Sequence, residues 1–153
     1  SASVPHYPIG TGWHVSVDNN GIMEGRYRYL FYEALVEGKE YQYQYGWHIP
    51  ARTRREELER VLRLYAFNEA ETKDFLEYWV HRLKADTDYT MFPQETEVVD
   101  AVMPVQIDPH PQSVHRIWFI FTEGIRSDVT EPADVERFSR RPYTVIEWGG
   151  IVD

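Results

Sequence analysis

Val114-His115-Arg116-Ile117-Trp118-Phe119-Ile120-Phe121 is the stretch on which the fold turns. From Ile117 onward every side chain is apolar, and all are aromatic or β-branched. A strand carries such a run only when both of its faces are covered, so it predicts a central strand. Upstream, Asp108-Pro109-His110-Pro111-Gln112-Ser113 predicts a chain reversal, since two prolines remove ladder donors and Asp and Ser favour turns. Before that turn, Glu97-Val98-Val99-Asp100-Ala101-Val102-Met103 is rich in valine and predicts a strand leading into Val105-Gln106-Ile107. Residues 123–141 are polar and irregular. Tyr143-Thr144-Val145-Ile146-Glu147-Trp148 then predicts a last strand, ended by Gly149-Gly150.

Towards the N-terminus the period changes from two to that of a helix. Leu58, Val61, Leu62 and Tyr65 recur on one helical face, and Ala70, Phe75, Leu76, Trp79, Val80 and Leu83 on another. Thr53 with Glu56, and Asn68 with Glu71, both have the spacing of a capping box. Residues 53–84 therefore read as a helical hairpin set between two β regions.

Ahead of Pro50 lie two aromatic period-two runs, Tyr27-Arg28-Tyr29-Leu30-Phe31-Tyr32-Glu33 and Tyr41-Gln42-Tyr43-Gln44-Tyr45-Gly46-Trp47. With Glu37-Gly38-Lys39-Glu40 between them they predict an aromatic β-hairpin over about residues 26–36 and 40–48. Pairing Glu37 with Glu40 would set Glu33 opposite Gln44 and Tyr32 opposite Tyr45. Trp13-His14-Val15-Ser16-Val17-Asp18 alternates as a strand, and Asp18-Asn19-Asn20-Gly21 marks a turn. Residues 1–12 are rich in proline and glycine and read as extended. The whole, residues 1–153, is expected to be one α+β domain: a mainly antiparallel sheet of about five to seven strands with an αα-hairpin on one face.

Composition narrows the partners. Twenty-five acids against 16 bases give a formal charge of -9, which disfavours nucleic acid and anionic membrane because phosphate binding needs a basic face. The one dense basic cluster, Arg52, Arg54 and Arg55, runs straight into Glu56 and Glu57 and reads as the exposed start of a helix. No stretch approaches the roughly 18 apolar residues of a membrane span. With no cysteine, disulfides, thiolate metal sites and cysteine nucleophiles are excluded.

Four strings bear a resemblance beyond composition: Gly12-Trp13-His14-Val15, Tyr29-Leu30-Phe31-Tyr32-Glu33-Ala34, Asp74-Phe75-Leu76-Glu77-Tyr78-Trp79 and Tyr143-Thr144-Val145-Ile146-Glu147-Trp148-Gly149-Gly150. Their order, from Gly12 to Gly150, resembles the C-terminal part of bacterial hypothetical proteins predicted to be exported. Those proteins carry a Lys-Pro-Val-Ile-Tyr-Leu-Tyr-Pro motif nearer the N-terminus, which this chain lacks, and show tryptophan where Tyr32 stands. The resemblance implies an extracytoplasmic or secreted setting. It implies no activity, cofactor or catalytic residue. A β segment missing upstream would leave a sheet edge open to self-association.

Candidate chemistry rests on Glu33 and Glu147, the carboxylates within the predicted strands that the resemblance covers. A strand carboxylate beside Phe31 and Leu35 is costly to bury unless paired. On one face, two such groups could act as acid and base in a small glycosidase-like hydrolase. Alternatively, each accepts a hydrogen bond from backbone, Arg28 or Arg116 and holds the register. The six histidines show no HExxH or HxH spacing, so no metal is expected, and no Gly-x-Ser-x-Gly elbow occurs. The aromatic surplus offers Tyr32, Tyr43, Tyr45, Trp47 and Trp148 as a stacking platform with Glu33 and Glu147 as polar anchors. The competing reading packs those rings under the helices, against Leu62, Tyr65, Phe75 and Trp79. The expectation is a non-catalytic module without cofactor that binds a glycan, peptide or protein surface; the hydrolase is the alternative.

Overall fold

The computed structural model describes residues 3–8, 10–36 and 40–153. The chain divides into two compact units, Ser1–Glu37 and Gly38–Asp153.

The first unit is built from turns rather than strands. Ser3–Val4 (β1) pairs antiparallel with Phe31–Tyr32 (β2), two residues on each side. The Asp18 turn forms as expected: its carboxylate accepts from the amides of Asn20 and Ile22, both at 2.8 Å, and Gly21 takes φ +79°. That left-handed conformation carries no Cβ penalty at glycine. The expected strand over 13–18 does not form. Val17 makes a single bridge to Met23, and Met23 another to Tyr27. Glu24 lies at φ +51°, held there by Ser16 through both its backbone N–H and its carboxylate. Among the described residues of this unit none is buried.

The second unit holds the core. Trp47–Ile49 (β3), Tyr89–Gln94 (β4), Ser113–Glu123 (β5) and Thr144–Val152 (β6) form a four-stranded sheet in that spatial order. The first two junctions are antiparallel and β5–β6 is parallel. β5 is the buried central strand its apolar run implied, with Ile117, Phe119, Ile120 and Phe121 fully covered. Alternate residues face opposite ways. Ile117, Phe119 and Phe121 meet Trp47, Ile49, Tyr89 and Met91 beneath Arg54–Leu64 (α1) and Glu69–Trp79 (α2). Ile120 joins Phe92, Val129 and the half-buried Tyr41, Tyr43 and Ile151 on the other side.

The Asn68–Glu71 capping box is complete, with reciprocal bonds of 2.8 and 2.9 Å. The Thr53–Glu56 box is absent. A 3₁₀ turn, Ala51–Thr53, precedes α1, and the Ala51 amide is satisfied instead by Asp88 at 2.7 Å.

Three further expectations are corrected. Thr96–Val102 is a helix (α3), not a strand: it buries Val99 against the sheet, and Arg116 Nη1 donates to the Met103 carbonyl at its end. The last strand does not stop at Gly149-Gly150. Both glycines lie inside β6, paired with Trp118 and Phe119; a Cβ at Gly150 would overlap the Trp79 ring and one at Gly149 would come within 3.1 Å of Trp118, so close approach explains glycine here. The aromatic hairpin is not how the two tyrosine runs are paired. β2 takes β1 as its partner and β3 takes β4, while residues 40–44 form no strand. Glu37-Gly38-Lys39 of its proposed turn lies outside the described residues.

Candidate functional site

The rings and carboxylates chosen from the sequence divide between the two units. In the second unit most serve packing. Trp47 is buried, and its indole N–H donates to the Tyr65 hydroxyl at 3.2 Å. Burial of Tyr65 itself drives its hydroxyl far above its ordinary range, against the Trp47 hydrogen bond, which lowers it. Trp148 stands between Phe67 and Phe75 at centroid distances of 6.3 and 5.6 Å. Tyr43 meets Phe92 edge-on at 5.1 Å, and Tyr45 bridges to Thr130. Burial pushes the hydroxyls of Tyr41, Tyr43 and Tyr45 up.

Gln42 is part of the fold as well. Its backbone N–H donates to Gln94 Oε1 at 2.8 Å, its carbonyl accepts from Gln94 Nε2 at 2.9 Å, and its own Nε2 donates to the Pro93 carbonyl. The fully buried Gln94 amide thus acts as a short substitute strand for residue 42.

Glu147 anchors an ion network around a buried arginine. Its Oε2 accepts from Arg116 Nε at 2.7 Å and its Oε1 from the Trp118 indole N–H at 2.9 Å. Arg116, 1% exposed, also donates to Asp100 at 2.7 Å. Arg116 and Glu147 are register partners on β5 and β6, so the pair fastens the parallel junction and draws α3 onto it. A buried guanidinium is tolerated because its donors are met by charged acceptors. Glu33 lies in the other unit, exposed and one residue past β2.

His115 shows the same packing logic. Its ring stacks on Phe138 at 4.5 Å, and its Nε2 is buried without a hydrogen-bond partner. Burial, then the charge of Arg140, hold its pKa below the ordinary imidazole range. Among the described residues no three His, Asp or Glu side chains are placed to hold a metal ion, and no helix is long and apolar enough to cross a membrane.

The open aromatic surface is in the first unit, where the sequence predicts an extended tail over 1–12, a strand over 13–18 and the first arm of an aromatic hairpin. A groove of about 560 Å³ is lined by Tyr7, Trp13 and Tyr27, with His6, His14, Glu24 and Arg26 around them. Trp13 sets its shape. The indole N–H donates to the Pro5 carbonyl at 2.6 Å, and the ring packs edge-on to Tyr7 at 4.6 Å and tilted against Tyr32 at 6.2 Å. The Arg26 guanidinium lies 4.6 Å over the Tyr27 ring. Such a surface offers apolar ring faces fringed by donors and acceptors, which suits a ligand with alternating C–H and hydroxyl groups. The signal for it in the sequence is the ring density of Pro5-His6-Tyr7-Pro8 and Gly12-Trp13-His14.

No protein-family model matches this chain, nor does any curated protein or solved structure.

Proposed function

We propose that this protein is a non-catalytic, extracytoplasmic binding module whose contact surface is the groove around Tyr7, Trp13 and Tyr27, and whose ligand is a glycan. The observation that carries the proposal is the half-exposed ring set of the first unit: Tyr7, Trp13 and Tyr27 are neither exposed singly nor buried in a core. Trp13 is held by a hydrogen bond and two ring contacts, so it is oriented before any ligand arrives. His6, His14, Glu24 and Arg26 supply the polar fringe that sugar hydroxyls need. Tyr32 belongs to the same surface through its contact with Trp13. The extracytoplasmic setting follows from the resemblance to exported bacterial proteins.

The test is a binding titration with a panel of soluble oligosaccharides and one proline-rich peptide, read by tryptophan fluorescence. A saturable response to an oligosaccharide, lost in Trp13→Ala and in Tyr27→Ala, supports the proposal. A response to the peptide alone reassigns the groove to protein partners. Binding that survives both substitutions refutes it.

A further inference from the structure

A second concave surface lies in the other unit, where α1 begins and the chain leaves α2. Arg52, Arg54, Arg55, His81, Arg82 and Lys84 line a cleft of about 660 Å³. Glu56 is the carboxylate in its wall among the described residues. The lining thus carries a net positive charge in a chain of -9.

Part of that charge has a structural partner. Arg54 is 6% exposed, and its guanidinium donates to the carbonyls of Leu83, Lys84, Ala85 and Thr87 at 2.7–3.4 Å. Lys84 is paired with Glu123, and Arg82 lies over the Tyr78 ring. Those contacts account for how the cleft is built. They leave Arg52 and Arg55 without a carboxylate partner among the described residues. Arg54 Nε is shut off from solvent and has no hydrogen-bond acceptor among the described residues.

We infer that this cleft is a binding site for a tetrahedral dianion, a phosphate or sulfate group. Arg54, its Nη donors committed to carbonyls, holds the cleft in shape and adds positive charge, while the exposed Arg52 and Arg55 supply the clamp. Guanidinium forks match two oxyanion oxygens at once, which a carboxylate-rich surface elsewhere on this chain would repel. The inference is independent of the aromatic groove and of the ligand proposed for it.

The experiment titrates sodium phosphate, and separately sodium sulfate, into the ¹⁵N-labelled full chain at ionic strength fixed with sodium chloride. Amide resonances of residues 52–56 and 81–85 are expected to shift saturably. The double variant Arg52→Ala/Arg55→Ala should weaken binding by about tenfold or more, the scale of losing one or two charge-assisted bonds. Both side chains are exposed and without an assigned partner, so the variant is expected to fold, and Arg55→Gln provides a milder second case. Arg63→Ala, at the far end of α1, should change nothing. Response to phosphate alone assigns a phosphoryl ligand, and response to both assigns any tetrahedral dianion. Shifts that are linear, that chloride reproduces, or that persist in the double variant overturn the inference.

Discussion

The two units use the same residue types in opposite ways. In the second, Trp47, Phe75, Trp79, Phe119 and Phe121 are 7% exposed or less and interlock between the sheet and the two helices. In the first, Tyr7, Trp13, Tyr27, Tyr29, Phe31 and Tyr32 include no buried ring at all. Size explains the difference. A segment below about 40 residues has too little interior to close a core over six large rings, whereas 116 residues in a sheet-and-helix arrangement can do so. Aromatic content by itself therefore does not identify a binding face; a ring left half-exposed, yet held in place, is the informative case.

The sharpest way to break the contrast is at the centre of the core. Phe119 touches Tyr65, Phe67 and Phe75, and Phe119→Ala should cost about 3–5 kcal/mol in urea unfolding. A loss below about 1 kcal/mol would mean that this region is no better packed than the first unit. Next comes Glu147→Ala, which leaves Arg116 with Asp100 and a carbonyl; the expected cost is about 2–3 kcal/mol. If stability is unchanged and ligand binding is lost, Glu147 belongs to function rather than to the fold. Gly150→Ala presses a methyl into the Trp79 ring, for about 1–3 kcal/mol.

Two smaller effects sharpen the account of local structure. Asn68→Ala should cost about 1 kcal/mol while Thr53→Ala costs little, because only Asn68 makes its capping bonds. For His115 the folded state resists protonation, so the unfolded chain binds the extra proton first. Stability then falls as pH drops from about 6.5 towards the lower folded value. His115→Phe should flatten that part of the pH profile in thermal melts.

Much of the second unit was legible because its signals are local and strong. The apolar run of β5, the helical stripes of α1 and α2, and the Asn68–Glu71 box need no distant partner to be recognised. The misreadings share a cause: the deciding contact lay far away in the chain. Residues 97–103 are valine-rich and read as a strand, yet Arg116, through Asp100 and the Met103 carbonyl, holds residues 96–102 as a helix. Gly149-Gly150 reads as a stop until Trp79 and Trp118 are seen pressing on the strand. The tyrosine alternation suggested a hairpin, but residue 42 is bound by Gln94, 52 positions on. Of the candidate residues, Glu147 is tied to Arg116, one of the partners its register-holding alternative named. At the first-unit groove the period-two alternation of residues 13–18 misleads, because turns and single bridges build that region.

The most direct test reads both units in one spectrum, through the indole N–H resonances of Trp13, Trp47, Trp79, Trp118 and Trp148. During titration with the oligosaccharide panel, the account predicts a saturable shift at Trp13 while Trp47 and Trp118, bonded to Tyr65 and Glu147, stay in place. Equal movement of the core indoles, or no movement at Trp13 with any member of the panel, would contradict it.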